Sequence, residues 1–329
     1  MNYGSENNGK YLLVKAKGGM GNRMLCTLTG ILYGQLTGRC TIIDWRDESY
    51  SNDGSNTFSK FFSCPGIYSE MILLNEATIR PKVWEGQLHK SIGEMIAEHD
   101  PNKHSSIFIH RKYSVDIRKL DYDEDIIVFW YYTGRIRDLE GHLRDGQGSF
   151  TGLNTYGIIR KVLTEQMVLQ QDICQQIGDF KARNWSEKVI GVHIRHTDRQ
   201  TNLAKYEHHL RRFLQRWPDA HIFLATDNKQ VSDDYHKRFK KVFSTPKWFP
   251  DVMLSMHQNR NCPDKVANGI EALVDMYLLA ECDCLIYSGY STFSLISRIL
   301  SDAQPEDIVD IDRLNLIVRL KHFMRELVV

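Results

Sequence analysis

Val189-Ile190-Gly191-Val192-His193-Ile194-Arg195-His196-Thr197-Asp198 (residues 189–198) passes from an apolar, β-branched run into a cluster of charge within a few residues. The apolar half predicts a buried strand and the charged half the loop that leaves its carboxyl end. The same grammar continues downstream. A helix is expected over Tyr206–Trp217, stopped by Pro218, then a strand over His221–Ala225, a helix over Gln230–Phe239 and a strand over Lys241–Phe243. An irregular stretch with Pro246, Pro250 and Pro263 separates these from a helix at Ala267–Ala280, a strand at Cys284–Tyr287 and a helix at Thr292–Leu300. Short apolar runs alternating with amphipathic stretches predict an α/β fold with a mainly parallel sheet, here an open, doubly wound sheet of the nucleotide-binding kind.

Upstream the pattern recurs less clearly. Tyr11–Lys15 reads as a strand, Gly18-Gly19-Met20-Gly21 as a turn, Asn22–Gln35 as a helix ending near Gly38, and Thr41–Asp44 as a second strand. Ile107–Ile109 and Ile126–Tyr131 are further strand expectations, and residues 45–105 show no clear period. Apolar residues at helical spacing (Ile158, Ile159, Val162, Met167, Ile173) predict one long helix over Gly152–Asp179, joining two domains.

At 329 residues the chain exceeds what one hydrophobic core usually serves. Lys and Arg number 42 against 41 acidic residues, and that near-neutral balance argues against a nucleic-acid partner. No run reaches the length of a transmembrane segment, and Met1–Lys10 lacks the pattern of a signal peptide, so a cytoplasmic protein is expected. Seven cysteines do not suggest a disulfide framework. Cys282 and Cys284 have no second cysteine pair, which favours buried free thiols over zinc.

Ligands of open α/β sheets bind beyond the carboxyl ends of the strands. The segments expected there are Arg195–Asp198, Thr226–Asn228, Ser244–Thr245 and Ser288–Thr292, all polar or charged. Strand alternation puts His193 and Arg195 on one side. Arg195 has the forked cation that neutralises a diphosphate; the plainer reading is an Arg–Asp pair holding the loop. Asp275 lies among apolar residues of its helix, where a carboxylate needs donors. Guanine would supply two adjacent ones; alternatively Asp275 faces solvent beside Glu271. Ser291 and Thr292 open a helix, suiting either a phosphate or simple N-capping. Gly21 and Asn22 sit in a glycine-rich turn that lacks the full dinucleotide fingerprint and the P-loop lysine.

At this point the residues resemble a known family. Gly191-Val192-His193-Ile194-Arg195-His196-Thr197-Asp198 resembles the first donor-site motif of the α-1,6-fucosyltransferases, and the chain resembles the nodulation-factor (chito-oligosaccharide) members. Matching segments run in the family's order: Thr37-Gly38-Arg39, Ile43-Asp44-Trp45-Arg46, Phe223-Leu224-Ala225-Thr226-Asp227, Ala272 to Asp283, and Tyr290-Ser291-Thr292-Phe293. The resemblance implies a GT-B type glycosyltransferase with two Rossmann-like domains and the donor site in the C-terminal one. It implies an acceptor-side domain over residues 1–175, a GDP-sugar domain over 176–305, and a segment 306–329 packing back on the first.

The implied reaction is inverting transfer of fucose from GDP-fucose, without a metal ion or other cofactor, to a hydroxyl of an oligosaccharide or glycoconjugate such as the 6-OH of a GlcNAc. By position, His193 and Asp275 would read guanine, with His196 beside them at the donor. Arg195 would grip the diphosphate, Ser291 and Thr292 would contact ribose or phosphate, and Asp198 and Asp227 would lie near the sugar. Gly21, Asn22, Asp44 and Arg46 are candidate phosphate or acceptor contacts. Two departures stand out. His196 replaces a second Arg, as in the nodulation enzymes, and the glutamate that would serve as general base has no counterpart, leaving Asp198 and then Asp227 as candidates. Another GDP-sugar or linkage, such as α-1,2, and a non-catalytic GDP-sugar or glycan binder are the alternatives.

Overall fold

The computed structural model describes residues 9–69, 76–102, 108–145, 149–197, 201–250 and 261–313. The chain divides into two compact units, the first ending at Leu169 and the second beginning at Gln170. The segment 306–329, expected to pack back on the first domain, lies outside the described residues from 314 onward.

The first unit carries β1 (Tyr11–Lys15), α1 (Met20–Thr37), β2 (Cys40–Asp44), α2 (Phe58–Phe61), β3 (Phe62–Ser63) and β4 (Ile79–Arg80). These are followed by α3 (Ile92–His99), α4 (His110–Tyr113), β5 (Ile126–Trp130), α5 (Ile136–Asp145), α6 (Thr155–Glu165) and β6 (Val168–Leu169). Its sheet has the order β2-β1-β5-β4 with all pairings parallel. Every residue of β1 and β5 is buried, as expected of central parallel strands. Helix α1 lies tight on the sheet because Gly30 has no side chain; a Cβ there would stand 2.3 Å from Val14 Cγ2. Gly38, in the left-handed conformation, ends it.

Two expectations give way here. Phe108–Ile109 form a turn, not part of a strand. The long helix over 152–179 is two helices, because Val168–Leu169 pairs antiparallel with Phe62–Ser63 and the chain must extend to do so.

A buried cation pins the carboxyl end of this sheet. Lys15, 1% exposed, donates to Asp44 Oδ2 at 2.5 Å and to the carbonyls of Leu88 and Lys90, both at 2.7 Å. All three ammonium protons thus have acceptors. Burial pulls the lysine pKa down, with Asp44 opposing. Asp44 Oδ1 in turn accepts from the backbone N and Nε of Arg46, both at 3.0 Å.

The second unit runs α7 (Gln171–Asn184), β7 (Val189–Ile194), α8 (Leu203–Arg216), β8 (His221–Thr226), α9 (Lys229–Arg238), β9 (Val242–Phe243), α10 (Lys265–Ala280), β10 (Cys284–Tyr287), α11 (Thr292–Leu300) and β11 (Ile308–Asp310). The sheet order is β11-β10-β7-β8-β9, all parallel. Ile190, Val192 and Ile194 share a core with Tyr206, Leu210 and Phe213 of α8. Gly191, pointing oppositely, is held against Cys282 Sγ, 2.9 Å from where its Cβ would be. The strand β11 was not expected from the sequence.

None of the seven cysteines forms a disulfide. Cys282 and Cys284 are buried, as expected, and burial pushes the Cys284 thiol up to about 12, as it does those of Cys26 and Cys64. Cys174, on α7, is exposed. Among the described residues no helix is long and apolar enough to cross a membrane.

Replacing Lys15 by Met should cost about 3–5 kcal/mol, the usual penalty for stranding one partner of a buried pair. Urea unfolding at neutral pH reads this directly. A loss of about 1 kcal/mol or less, the scale of a surface pair, would show that Lys15 does not pin the sheet.

Candidate active site

In the second unit β7 comes first, β8 and β9 build outward on one side, and the chain then returns to lay β10 and β11 on the other. The order therefore reverses between β7 and β10, and in doubly wound sheets the ligand crevice opens at the carboxyl ends of the strands flanking that point. His193 and Arg195 leave β7 there, and Ser288–Thr292 leaves β10 there.

His193 is 7% exposed and stacks on Phe293 of α11, ring centroids 4.8 Å apart. Burial, reinforced by the positive charges of Arg195 and Lys247, lowers its pKa to about 3, so the imidazole is neutral at pH 7. Its Nδ1 is buried with no hydrogen-bond partner among the described residues. Ser291 Oγ and Ser244 Oγ, at the ends of β10 and β9, are in the same condition. Ser291 precedes α11, yet its side chain makes no capping bond. Each such atom costs roughly 1–3 kcal/mol while unpaired. Three of the eight such atoms among the described residues lie at or just beyond the carboxyl ends of strands in this one sheet, on the side where ligands of doubly wound sheets bind.

Asp275, 5% exposed on α10, fits neither reading of the sequence in its present contacts. It does not face solvent, and both oxygens are engaged: Oδ1 accepts from Thr245 Oγ1 at 2.6 Å, and Oδ2 is paired with Lys247 Nζ. Glu271, one turn earlier, is half-buried and accepts from Trp248 N at 3.2 Å and Asn268 Nδ2 at 3.3 Å. Burial raises its pKa. Thr245 and Lys247 are site residues the sequence reading did not select. Thr245 lay within an expected strand-end segment, but Lys247 sat in the proline-rich stretch without a pattern to mark it.

Asp227, following β8, accepts from His196 N at Oδ1 (2.7 Å) and from Thr197 Oγ1 at Oδ2 (2.6 Å). Thr201 N donates to His196 Nδ1 at 3.2 Å, and Asn228 Nδ2 donates to the His196 carbonyl at 3.2 Å. These bonds fasten the loop after β7 to the loop after β8. Asp198, the first candidate base, lies outside the described residues. Beyond β10, Asp310 Oδ1 accepts from Gly289 N at 2.8 Å, and Ser288 Oγ bonds Asp312. A Cβ on Gly289 would fall 2.3 Å from Asp310 Oδ2, so only glycine fits this turn.

The structure thus sets Arg195 and Lys247 within electrostatic reach of His193 and pairs Lys247 with Asp275, with Ser291 and Thr292 opening the helix whose Phe293 covers His193. Gly21, Asn22, Asp44 and Arg46 belong to the first unit. Gly21 and Asn22 lie in the first turn of α1, and Asp44 and Arg46 are tied to Lys15 and, through Arg46 Nη1, to the His89 carbonyl at 2.8 Å.

Because His193 is held neutral, the unfolded chain binds one more proton than the folded one between pH 3 and 6.5. Its contribution to stability is complete above 6.5 and falls as the pH drops toward 3, by about 1.4 kcal/mol per unit. His193→Gln should flatten the pH dependence of unfolding free energy in that window by up to one proton. An unchanged slope from pH 6.5 to 4 in urea titrations would refute the buried neutral imidazole.

Comparison with known proteins agrees with the resemblance read from the residues. The family model for nodulation protein Z (NodZ) matches residues 158–320. Nodulation protein Z of Azorhizobium caulinodans is 23% identical over 321 residues, covering 87% of this chain and 88% of that protein. The crystal structure of NodZ α-1,6-fucosyltransferase soaked with GDP-fucose superposes with a TM-score of 0.61 at 21% identity, over 93% of this chain and 96% of that one. A mutant of Arabidopsis thaliana FUT1 in complex with GDP gives 0.54 at 12% identity, over 91% and 70%. The chain therefore has the GT-B fold and resembles the nodulation-type fucosyltransferases over most of its length.

Proposed function

We propose that the protein is a cytoplasmic, inverting fucosyltransferase that moves fucose from GDP-fucose to a hydroxyl of an oligosaccharide or glycoconjugate, the 6-OH of a GlcNAc being the acceptor group favoured by the resemblance. The observation that carries this reading is the set of buried atoms with no partner among the described residues, His193 Nδ1, Ser244 Oγ and Ser291 Oγ, at and beyond the strand ends of the second unit, with Arg195 beside His193. The likeness to a NodZ structure soaked with GDP-fucose supports the choice of donor.

In this reading the N1–H and amine of guanine take over the Asp275 carboxylate from Thr245 and Lys247. The neutral His193 makes its orphaned Nδ1 bond to the nucleoside. Arg195 meets the diphosphate, and Ser291 and Thr292 offer hydroxyls and the free N–H groups of α11 to phosphate or ribose. The acceptor oxygen attacks the anomeric carbon as the bond to the β-phosphate oxygen breaks, with inversion. The charge that develops on that oxygen is stabilised by Arg195, a protein cation in the role a divalent metal fills elsewhere. The acceptor proton passes to a carboxylate. Asp198 is the first candidate, since both oxygens of Asp227 already hold the loop.

Thermal unfolding with GDP, ADP, UDP and NAD at equal concentration tests the donor site. At about 100 times its dissociation constant a ligand stabilises by about 2.7 kcal/mol, a shift of several degrees. GDP alone should give it, and Arg195→Ala should lose both the shift and fucose transfer. Equal shifts with ADP and UDP would remove the guanine assignment, and GDP binding without transfer to any sugar acceptor would leave a binding protein. Turnover should also survive EDTA; a loss restored by Mn²⁺ would refute the metal-free mechanism.

A further inference from the structure

The first unit contains a cleft of about 500 Å³ that the donor chemistry does not use. It is lined by the end of β4, the segment after it, α4, the loop 114–118, Phe129 of β5, Tyr131 just beyond, and the start of α5. Five Arg or Lys side chains line it (Arg80, Lys82, Arg111, Arg118 and Arg135) against two carboxylates, with His110 beside them. That surplus of three positive charges sits in a chain whose whole net charge is +1, so the cationic character is local to this concavity.

Three of the five cations already have carboxylate partners: Arg80 lies 3.2 Å from Glu124 at the rim, and the other two pairs lie within the lining. Arg118 takes Asp116 with two prongs, Nε to Oδ1 at 2.9 Å and Nη2 to Oδ2 at 2.6 Å. Arg135 Nε takes Asp138 at 2.7 Å. Both lining carboxylates are thereby committed. Lys82 is exposed and has no ion pair among the described residues. Aromatic rings lie between the cations: Arg135 stands 5.1 Å over Tyr131, His110 packs edge-on to Tyr131 at 4.7 Å, and Arg80 stands 5.8 Å over Tyr122.

We infer that this cleft binds an acidic substituent of the acceptor, so that the acceptor is an anionic glycan or glycoconjugate carrying a carboxylate, sulfate or phosphate. The cations meet the anionic group, and the Tyr131 and Tyr122 rings offer faces for the C–H surface of a sugar. The cleft has the size of a small-molecule site rather than of a nucleic-acid track, and the chain's neutral balance argues against a polyanion partner. The identification of the ligand as an acceptor rests on the fucosyltransferase reading; the anion preference of the cleft does not.

Calorimetric titration of the full chain tests this with four probes at one ionic strength: chitotetraose, its monosulfated form, a uronate-bearing tetrasaccharide of N-acetylglucosamine and glucuronate, and inorganic sulfate. At least one acidic tetrasaccharide should bind about tenfold or more tighter than chitotetraose, and which of the two does so identifies the acidic group. The advantage should shrink as salt rises through about 0.3 M, because exposed cations are screened. Lys82→Gln, at an exposed position, and the double variant with Arg111→Gln should lose the preference while keeping the parent Tm and GDP affinity. Equal affinity for neutral and acidic sugars would overturn the inference, as would an undiminished preference in the double variant. Inorganic sulfate binding as tightly as the sulfated sugar would overturn the glycan part. Failure of the donor reading would appear separately, as absent GDP binding in the unsubstituted protein.

Discussion

Parallel sheets deliver all their strand ends to one edge, and each end exposes backbone donors that the ladder no longer satisfies. This protein answers that constraint in both units with a carboxylate placed at or just after a strand end. Asp44, closing β2, accepts from the backbone two residues on and from buried Lys15. Asp227, closing β8, accepts from the loop that leaves β7. Asp310, closing β11, accepts from the turn after β10. Each fixes a loop that would otherwise be free to move, and each uses oxygens that are thereby removed from chemistry.

Where that device is absent, the strand ends are left incomplete. His193 Nδ1, Ser244 Oγ and Ser291 Oγ are buried without hydrogen-bond partners among the described residues. In the proposed reading a ligand supplies the missing bonds, and atoms held in place beforehand lower the cost of binding it. Asp275 is the intermediate case. Thr245 and Lys247 keep its buried carboxylate satisfied, one on each oxygen, and in the proposed reading guanine displaces both.

The sheet of the second unit was largely legible because its strands are contiguous apolar runs and its helices carry a clear period. Val189–Ile194 is read correctly to the residue. What could not be read depends on distant partners. Lys247 and Thr245 acquire their role from Asp275, 28 and 30 residues away. Ile308–Asp310 is a strand only because Leu285–Tyr287 lies beside it. The stretch 45–69 lacks a period because side chains organise it. Asn56 donates to the carbonyls of Ile43 and Ser69 while accepting from Trp45 N, and Trp45 packs on Phe58 and Phe62. Arg39, read as part of a family motif, lies buried and donates to the carbonyls of Tyr11 and Glu124, so that motif residue serves the fold.

The distribution of thiols has a practical corollary. Six of the seven cysteines are buried or half-buried, whereas Cys174 stands exposed on α7. That helix packs on α10, which carries Asp275. A maleimide dye added near neutral pH therefore finds one favoured attachment point without mutagenesis. It would report, by fluorescence, on the helix that carries the buried carboxylate.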